Sequence, residues 1–347
     1  MTTGPRKHDS ERGAVSVIVA LMLVALLGFG AMAVDVGMMY AERTQLRNGA
    51  DAAALAIAQK CARSAADPDC IKAKPLATTF ANQNANDSLS NIKSFVLDTD
   101  NRSVALTVGA QEGVHTPNQV SLFFARALGI NATEVTAPSS ARWGSPLEGP
   151  TLFPLTFSLC QVNGMVGAGQ QLLESRGSTL TSKKTSSCVV DGKTVPGGFG
   201  WLKQIDGQCG GYINLSLGAS GSETGNDAPS NCEQTLTKWA TTLTSGGKIT
   251  LLLPVYTSVT GTGTSAVYSL SAFAAFDVVG WRFASGDNGT NAALIFHNKV
   301  ADVGAGLACT GDCRGIIGGF VKYVSLAEGY KLGPVNSYGA TVVELTS

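Results

Sequence analysis

The hydrophobic pattern of this chain changes character along its length. From Gly13 to Val34 the sequence GAVSVIVALMLVALLGFGAMAV carries no charge and shows no polar face. At 1.5 Å per residue a helix of this length spans about 33 Å, enough for a hydrocarbon core of about 30 Å. After Asp35 the pattern becomes one-sided. Val36, Met39, Tyr40, Leu46, Ala50, Ala53, Ala54 and Ile57 recur at three- and four-residue spacings, while Glu42, Arg43, Gln45, Arg47, Asn48 and Asp51 form the polar side. No proline lies between Ala14 and Asp67. One uninterrupted helix of about 50 residues is therefore predicted, apolar all round below and amphipathic above. A cleavable signal peptide would also begin with basic residues and an apolar run, but the helical pattern continues past Asp35 without a break. The alanine run from Ala52 to Ala58 would allow a second helix to approach closely.

The next stretch alternates between periods. Pro75 to Asn86 reads as a short helix, with Leu76, Phe80 and Ala81 to bury. Ile92 to Leu97 and Val104 to Val108 read as strands about the turn Asp98-Thr99-Asp100-Asn101. That turn lacks the downstream glycine and bidentate acid of a calcium loop, which favours a hairpin. Asn118 to Leu128 reads as an amphipathic helix burying Val120, Leu122, Phe123, Phe124 and Leu128, closed by Gly129 at its C-cap. Thr133 to Ala141 reads as a strand. Pro146, Gly149 and Pro150 read as a linker. Beyond it, Ile249 to Val259 (with Pro254 at an edge), the run from Tyr268 through Phe276 to Phe283, Gly319 to Leu326 and Ala340 to Leu345 read as strands. Glycine-rich loops such as Gly197 to Gly200 and Gly218 to Gly225 join them.

Composition narrows the class. Of 347 residues, Lys and Arg total 25 and Asp and Glu total 25. That balance lacks the basic excess that holding a nucleic-acid backbone requires. Charged residues are 14% and hydrophobic residues 44%, so a sizeable core is expected and general disorder is excluded. Most of the 41 glycines lie after Gly149 and show no period of three, which excludes collagen. The eight cysteines, Cys61, Cys70, Cys160, Cys188, Cys209, Cys232, Cys309 and Cys313, all follow the apolar span. An even number in an oxidising compartment predicts disulfides, with Cys61–Cys70 and Cys309–Cys313 as local pairs. Cys160, Cys188, Cys209 and Cys232 leave three pairings open. Arg6, Lys7 and Arg12 before the span against Arg43 and Arg47 after it give a thin bias toward a cytoplasmic N-terminus. The position of the cysteines agrees, so a single-pass protein with an extracytoplasmic bulk is expected.

The string ERGAVSVIVALMLVALLGFGAMAVDVGMMYAERTQLRNGADAAALAIA carries more specific information. Its Arg12-Gly13 start, Val34-Asp35-Val36-Gly37, Tyr40, Gln45-Leu46-Arg47-Asn48 and Ala50 to Leu55 resemble the N-terminal module of TadE/TadG-like proteins of the Flp (tight adherence) pilus system. The resemblance implies a pilin-like design, a long N-terminal transmembrane helix whose upper half packs under a globular head. With the helix and strand pattern that follows and the glycine- and cysteine-rich C-terminal part, an α+β chain is expected, with a small α+β head and then a disulfide-linked β-rich domain. The corresponding segments are 1–12 (cytoplasmic tail), 13–34 (membrane span), 35–64 (its extramembrane continuation), 65–148 (head) and 149–347 (β-rich domain). It also implies a pilus-assembly role without enzymatic chemistry, with the membrane and pilin-like or TadE-type pseudopilins as partners. Val36, Tyr40, Leu46, Ala50, Ala54 and Ile57 would supply the partner-helix face. The C-terminal part is similar to the ectodomain of some actinobacterial relatives, through Gly197 to Leu202, Phe273 to Phe276 and Cys309 with Cys313. Pilins of the system are cut after a glycine with a glutamate at the fifth mature position. Here Ile18 stands fifth after Gly13, so an uncut, anchored chain is expected.

Other chemistry finds little support. His8, His115 and His297 are the three histidines, and no G-x-S-x-G elbow accompanies them. No phosphate loop and no D-x-S-x-S metal motif occurs. Cys309 and Cys313 near His297 lack paired zinc-ligand spacing. No cofactor, metal or small-molecule substrate is expected. A second class of function stays open, a surface-binding module using aromatics such as Phe199, Trp201 or Tyr212.

Overall fold

A computed structural model describes residues 10–113, 116–163, 165–175, 187–190, 192–223, 227–284, 293–324 and 330–346. The N-terminal tail with His8, and also His115, lie outside the described residues. The chain has a long N-terminal helix followed by a β-rich part with several disulfides. It divides into two compact units, Met1–Arg142 with Leu345–Ser347, and Trp143–Glu344.

In the first unit, α1 runs without interruption over Ser10–Arg63. Its apolar lower part is exposed on all sides, from Val15 to Val34. Its upper part buries Leu46, Ala50, Ala53, Ala54, Ile57 and Ala58. The covering elements are α3 (Ala73–Gln83) and, after the short α2 (Pro68–Ile71), the hairpin of β1 (Ser90–Asp98) and β2 (Ser103–Ala110). Small residues meet small residues, with Ala73, Ala77 and Ala81 of α3 also buried. At Gly49 the helices come close: a Cβ there would lie 3.1 Å from Ala81 Cα and 3.2 Å from its carbonyl oxygen. Glycine within a helix costs about 1 kcal/mol relative to alanine, and the close approach offsets it. Burial of Leu46 and Ile57 contributes about 1.5–3 kcal/mol each, and the alanines add contact without side-chain entropy to lose. Cys61–Cys70, with Cα atoms 4.9 Å apart, ties the end of α1 to α2.

The hairpin turn is closed by Asp98, which accepts hydrogen bonds from Asn101 N (2.8 Å) and Asn101 Nδ2 (2.7 Å). Those bonds hold its carboxyl below the usual carboxylate range. Two short strands follow, β3 (Gln119–Ser121) and β4 (Ala132–Glu134), and then the long β5 (Thr136–Thr151). The first half of β5 pairs antiparallel with β2, Gly109 opposite Thr136 and Ser103 opposite Arg142.

The structure departs from the sequence pattern at two places. Asn118 to Leu128 is not one helix: β3 occupies its start and a single 3₁₀ turn, Ala125–Leu128, its end. Gly129 closes that turn at φ 86°, so the C-cap was legible while the helix before it was not. The residues expected to be its buried stripe split, with Val120 and Leu122 buried and Phe123, Phe124 and Leu128 exposed. Pro146, Gly149 and Pro150 are not a linker but lie inside β5. Gly149 is there for packing, because a Cβ would overlap the ring of Tyr330, whose hydroxyl donates to Pro150 O.

The second unit is built on strands. Its sheet runs in the order β10-β6-β13-β14-β16-β7, comprising β6 (Leu155–Ser158), β7 (Gln171–Glu174), β10 (Phe199–Trp201), β13 (Ile249–Thr260), β14 (Val267–Arg282) and β16 (Gly315–Val321). β12 (Ala219–Gly221) and β15 (Ile295–Phe296) also pair with β14. A small hairpin of β8 (Cys188–Val190) and β9 (Lys193–Val195) precedes β10. The second half of β5 pairs with β11 (Gly211–Asn214) and β18 (Lys331–Gly333), while β17 (Tyr323–Val324) runs parallel to β19 (Thr341–Leu345). Pro254 is tolerated inside β13 because the β6 pairing begins only at Val255.

The core is aromatic: Phe153 packs on Trp201, Trp239 and Phe283, and Phe276 packs on Phe157 and Phe320. Trp239 comes from α5 (Glu233–Thr244), an amphipathic helix the reading of the sequence missed although Leu236, Trp239, Ala240 and Leu243 keep a helical spacing. Disulfides join Cys160 to Cys188, Cys209 to Cys232 and Cys309 to Cys313, so one of the three open pairings is realised. By loop closure each bridge contributes about 2–3.5 kcal/mol, the longer loops more.

Two measurements check this account. Ala54→Leu, which forces a branched side chain between α1 and its covering elements, should lower the stability of the first unit by about 1–3 kcal/mol; chemical unfolding of the detergent-solubilised chain reads it, and an unchanged midpoint would refute the packing. Burial pushes the Tyr330 phenol up to about 12 from an ordinary value near 10. The raised value means its contribution is fully present below pH 10 and is lost as pH climbs toward 12. Tyr330→Phe should flatten that loss in alkaline unfolding, and an unaltered alkaline limb would contradict it.

Candidate functional site

The segment that resembled a known module is the part of α1 at and above the end of its apolar stretch. Asp35 is the first charged residue after that stretch, yet it is only 4% exposed. Its carboxylate accepts hydrogen bonds from the backbone N–H groups of Phe123 (3.0 Å), Phe124 (3.2 and 3.1 Å) and Ala125 (2.6 Å). These donors open the 3₁₀ turn Ala125–Leu128, whose own N-cap, Phe124, makes no side-chain cap bond. The cap comes instead from a residue far away in sequence. A carboxylate accepting backbone N–H groups is a charge-assisted contact, roughly twice as strong as a neutral one. Asp35 thereby clips the loop after β3 onto α1. Sequence spacing could mark Asp35 as the end of the span but could not show the donors.

On α1 above Asp35, Val36 is exposed and Tyr40 is 75% exposed. Tyr40, Arg43, Thr44, Arg47 and Asn48 line a groove of about 300 Å³ with Ala137 and Pro138. Arg47 donates to Asp51 Oδ2 (3.2 Å) and to Pro138 O (3.1 Å), fixing one wall. Glu42 is half-buried; burial raises its carboxyl above the usual range, and Asp87 and Glu112 add to the shift. The six residues expected to face a partner helix therefore separate. Leu46, Ala50, Ala54 and Ile57 are buried against the unit's own elements and have no free surface. Three- and four-residue spacing reports which face is apolar, not what covers it. Val36 and Tyr40 remain accessible.

The second unit carries an open groove of about 570 Å³, lined among others by Gly169, Lys248, Asp277, His297, Gly319 and Phe320. Lys248 Nζ pairs with Asp277 Oδ2 at 2.8 Å, and Thr250 donates to Asp277 Oδ1 at 2.6 Å. His297 sits at φ 41° with its ring stacked 3.9 Å from Phe296. Among the described residues no group of three His, Cys, Asp or Glu is placed to hold a metal ion. Cys309 and Cys313 are bonded to each other and offer no thiolate. Of the three aromatics considered as a binding surface, Phe199 and Trp201 are core residues and Tyr212 is exposed. Tyr212 donates to Glu148 (2.7 Å), and that bond, followed by the one from Lys331, holds the Glu148 carboxyl low.

The helix, the clip at its apolar end and the docked upper half coincide with one known module. Residues 13–67 match the TadE/G-like Flp pilus-assembly family, Tad. The Tad segment thus takes in the apolar stretch, Asp35, the groove residues of α1 and the alanine face under α3. The long apolar helix fits a single-pass membrane anchor. No curated protein and no solved structure matches the chain.

Replacing Asp35 by alanine should leave the clipped amides without their acceptor, at a cost of about 1–3 kcal/mol. Hydrogen exchange at Phe123, Phe124 and Ala125 should change from protected to fast in Asp35→Ala, and persistent protection would show that the carboxylate does not hold the loop.

Proposed function

We propose that this protein is a membrane-anchored structural or assembly component of a Flp-type pilus or a related secretion apparatus. In this reading α1 crosses the membrane once with its N-terminus in the cytoplasm, and the chain beyond the span lies outside it. The observation that carries the reading is the match of residues 13–67 to the Tad family on a helix whose apolar part no described residue covers. The chain stays uncut at Gly13–Ala14, because Ile18 brings no carboxylate to the fifth position. Arg6, Lys7 and Arg12 hold its cytoplasmic end, since drawing such charges through hydrocarbon is costly. The partners are pilin-like or TadE-type pseudopilins, whose helices meet Val36, Tyr40 and the groove beside Arg43, because the alanine face is already occupied.

A second reading, a surface-binding module displayed on the same anchor, draws on the groove of about 570 Å³ in the second unit. A photo-crosslinker at Tyr40 should capture a component of the apparatus in cells, whereas one at Ala50 should react only within the chain. Loss of piliation on deleting the gene, with the mature chain beginning before Ala14, supports assembly. Intact piliation with lost adhesion in a chain lacking residues 143–347 would favour the binding module, and a mature chain starting at Ala14 would show processing as a pilin.

A further inference from the structure

The loop that Asp35 clips to α1 is unusual in what it exposes. Phe123 is 66% exposed and Leu128 is 77% exposed, and Phe124 and Ile130 are exposed beside them. Phe123 and Phe124 pack edge to face on one another, with ring centroids 4.9 Å apart, so they form one apolar surface. Arg126, also exposed, is the loop's only cation. Large apolar side chains clustered in water are unfavourable unless something covers them.

We infer that Phe123, Phe124, Leu128 and Ile130 form a foot that beds in the lipid interface where α1 leaves the bilayer, with Arg126 at the level of the lipid phosphates. The inference rests on the reading of α1 as the membrane anchor and adds a second contact with the bilayer. Its height is fixed by the clip. The hydrocarbon stretch ends at Val34, and the amides of Phe123 to Ala125 are hydrogen-bonded to the carboxylate of the very next residue. The loop cannot rise from the membrane surface while those bonds hold. Met32, Val34 and Val36, which flank Asp35 on α1, are exposed apolar side chains as well. Aromatic and basic residues gather at this depth because an apolar body and a polar tip suit the headgroup boundary, and exposed Tyr40, a little over a turn above Asp35, fits the same belt. Asp35 thus acts as a positioning residue: buried and satisfied by backbone donors, it carries a charge to the edge of the hydrocarbon without presenting it to lipid. Two contacts in place of one would restrict the tilt and rotation of the first unit on the membrane.

The test uses the full chain in vesicles of zwitterionic and anionic phospholipid. No described cysteine is free, so a thiol introduced without reductant is a unique site for an environment-sensitive label. Labels are placed through Leu128→Cys in the foot, Leu26→Cys within the span and Val96→Cys on the exposed face of β1. Lipids spin-labelled near the headgroup should quench the Leu128 site strongly and the Val96 site little, while lipids labelled near the chain end should quench the Leu26 site. Adding Asp35→Ala should reduce quenching at Leu128 and leave Leu26 unchanged; equal quenching would overturn the role of the clip. Quenching at Leu26 with none at Leu128 overturns the foot and leaves the anchor standing. Quenching at neither overturns both. A Leu128 label that is exposed in pure lipid but shielded in native membranes containing the apparatus would assign the patch to a protein partner and overturn the lipid assignment.

Discussion

The architecture of the first unit depends on one contact, the close packing of small residues between the upper half of α1 and α3. A helix that is apolar all round below and amphipathic above must satisfy two solvents in one piece. The lower half needs no partner in the chain, because lipid can solvate every side of it. The upper half has to bury one face, and Gly49, Ala50, Ala53 and Ala54 let α3 approach until backbone nearly meets backbone. That approach fixes the hairpin of β1 and β2, and so the loop that reaches back to Asp35. Larger residues on this face would hold the elements apart, and the carboxylate would then lack its donors.

The second unit solves a different problem. Its strands are rich in glycine and poor in charge, and it gains its rigidity from aromatic packing and covalent ties. Phe153, Trp201, Trp239, Phe283 and Trp281 belong to one buried core, in which Trp239 of α5 packs on Phe153 and Trp281. Glycines serve this packing, as where Gly149 leaves room for Tyr330 to cross β5. The disulfides sit where strands are short or loops long, at Cys160–Cys188 beside the small hairpin and at Cys209–Cys232 before α5. Such a unit suits a compartment where thiols are oxidised.

The Tad segment gives this protein an identifiable part, and the second unit gives it individuality. The groove beside Lys248 and His297 is open, and its most obvious charge, Asp277, is already paired with Lys248 and Thr250. A site of that kind offers shape more than reactive chemistry. The groove beside Tyr40 and Arg43 differs in taking one wall from the Tad segment, above the end of the apolar span, and the other from Ala137 and Pro138.

Much of the fold was legible because it rests on local pattern. The continuous α1, the hairpin about Asp98, the long strands β13 and β14 and the left-handed cap at Gly129 each follow from periodicity or from the conformational demands of a few neighbouring residues. The sequence also determined that eight cysteines follow the span and that two pairs are local. It could not choose among the pairings of the other four, since that depends on which strands come together. Nor could it tell covered from exposed apolar residues, because spacing is blind to what lies opposite. Ala50 and Tyr40 share a stripe, yet one is fully buried and the other faces outward. Phe123 and Leu128 read as core and are surface; Phe199 and Trp201, which the pattern allowed as core or as surface, are core. Asp35 is the clearest case: the sequence fixes a charge at the end of an apolar run, and only the tertiary structure brings the amides of Phe123, Phe124 and Ala125 to it, because hydrogen-bond partners distant in sequence exist only once the intervening chain has folded.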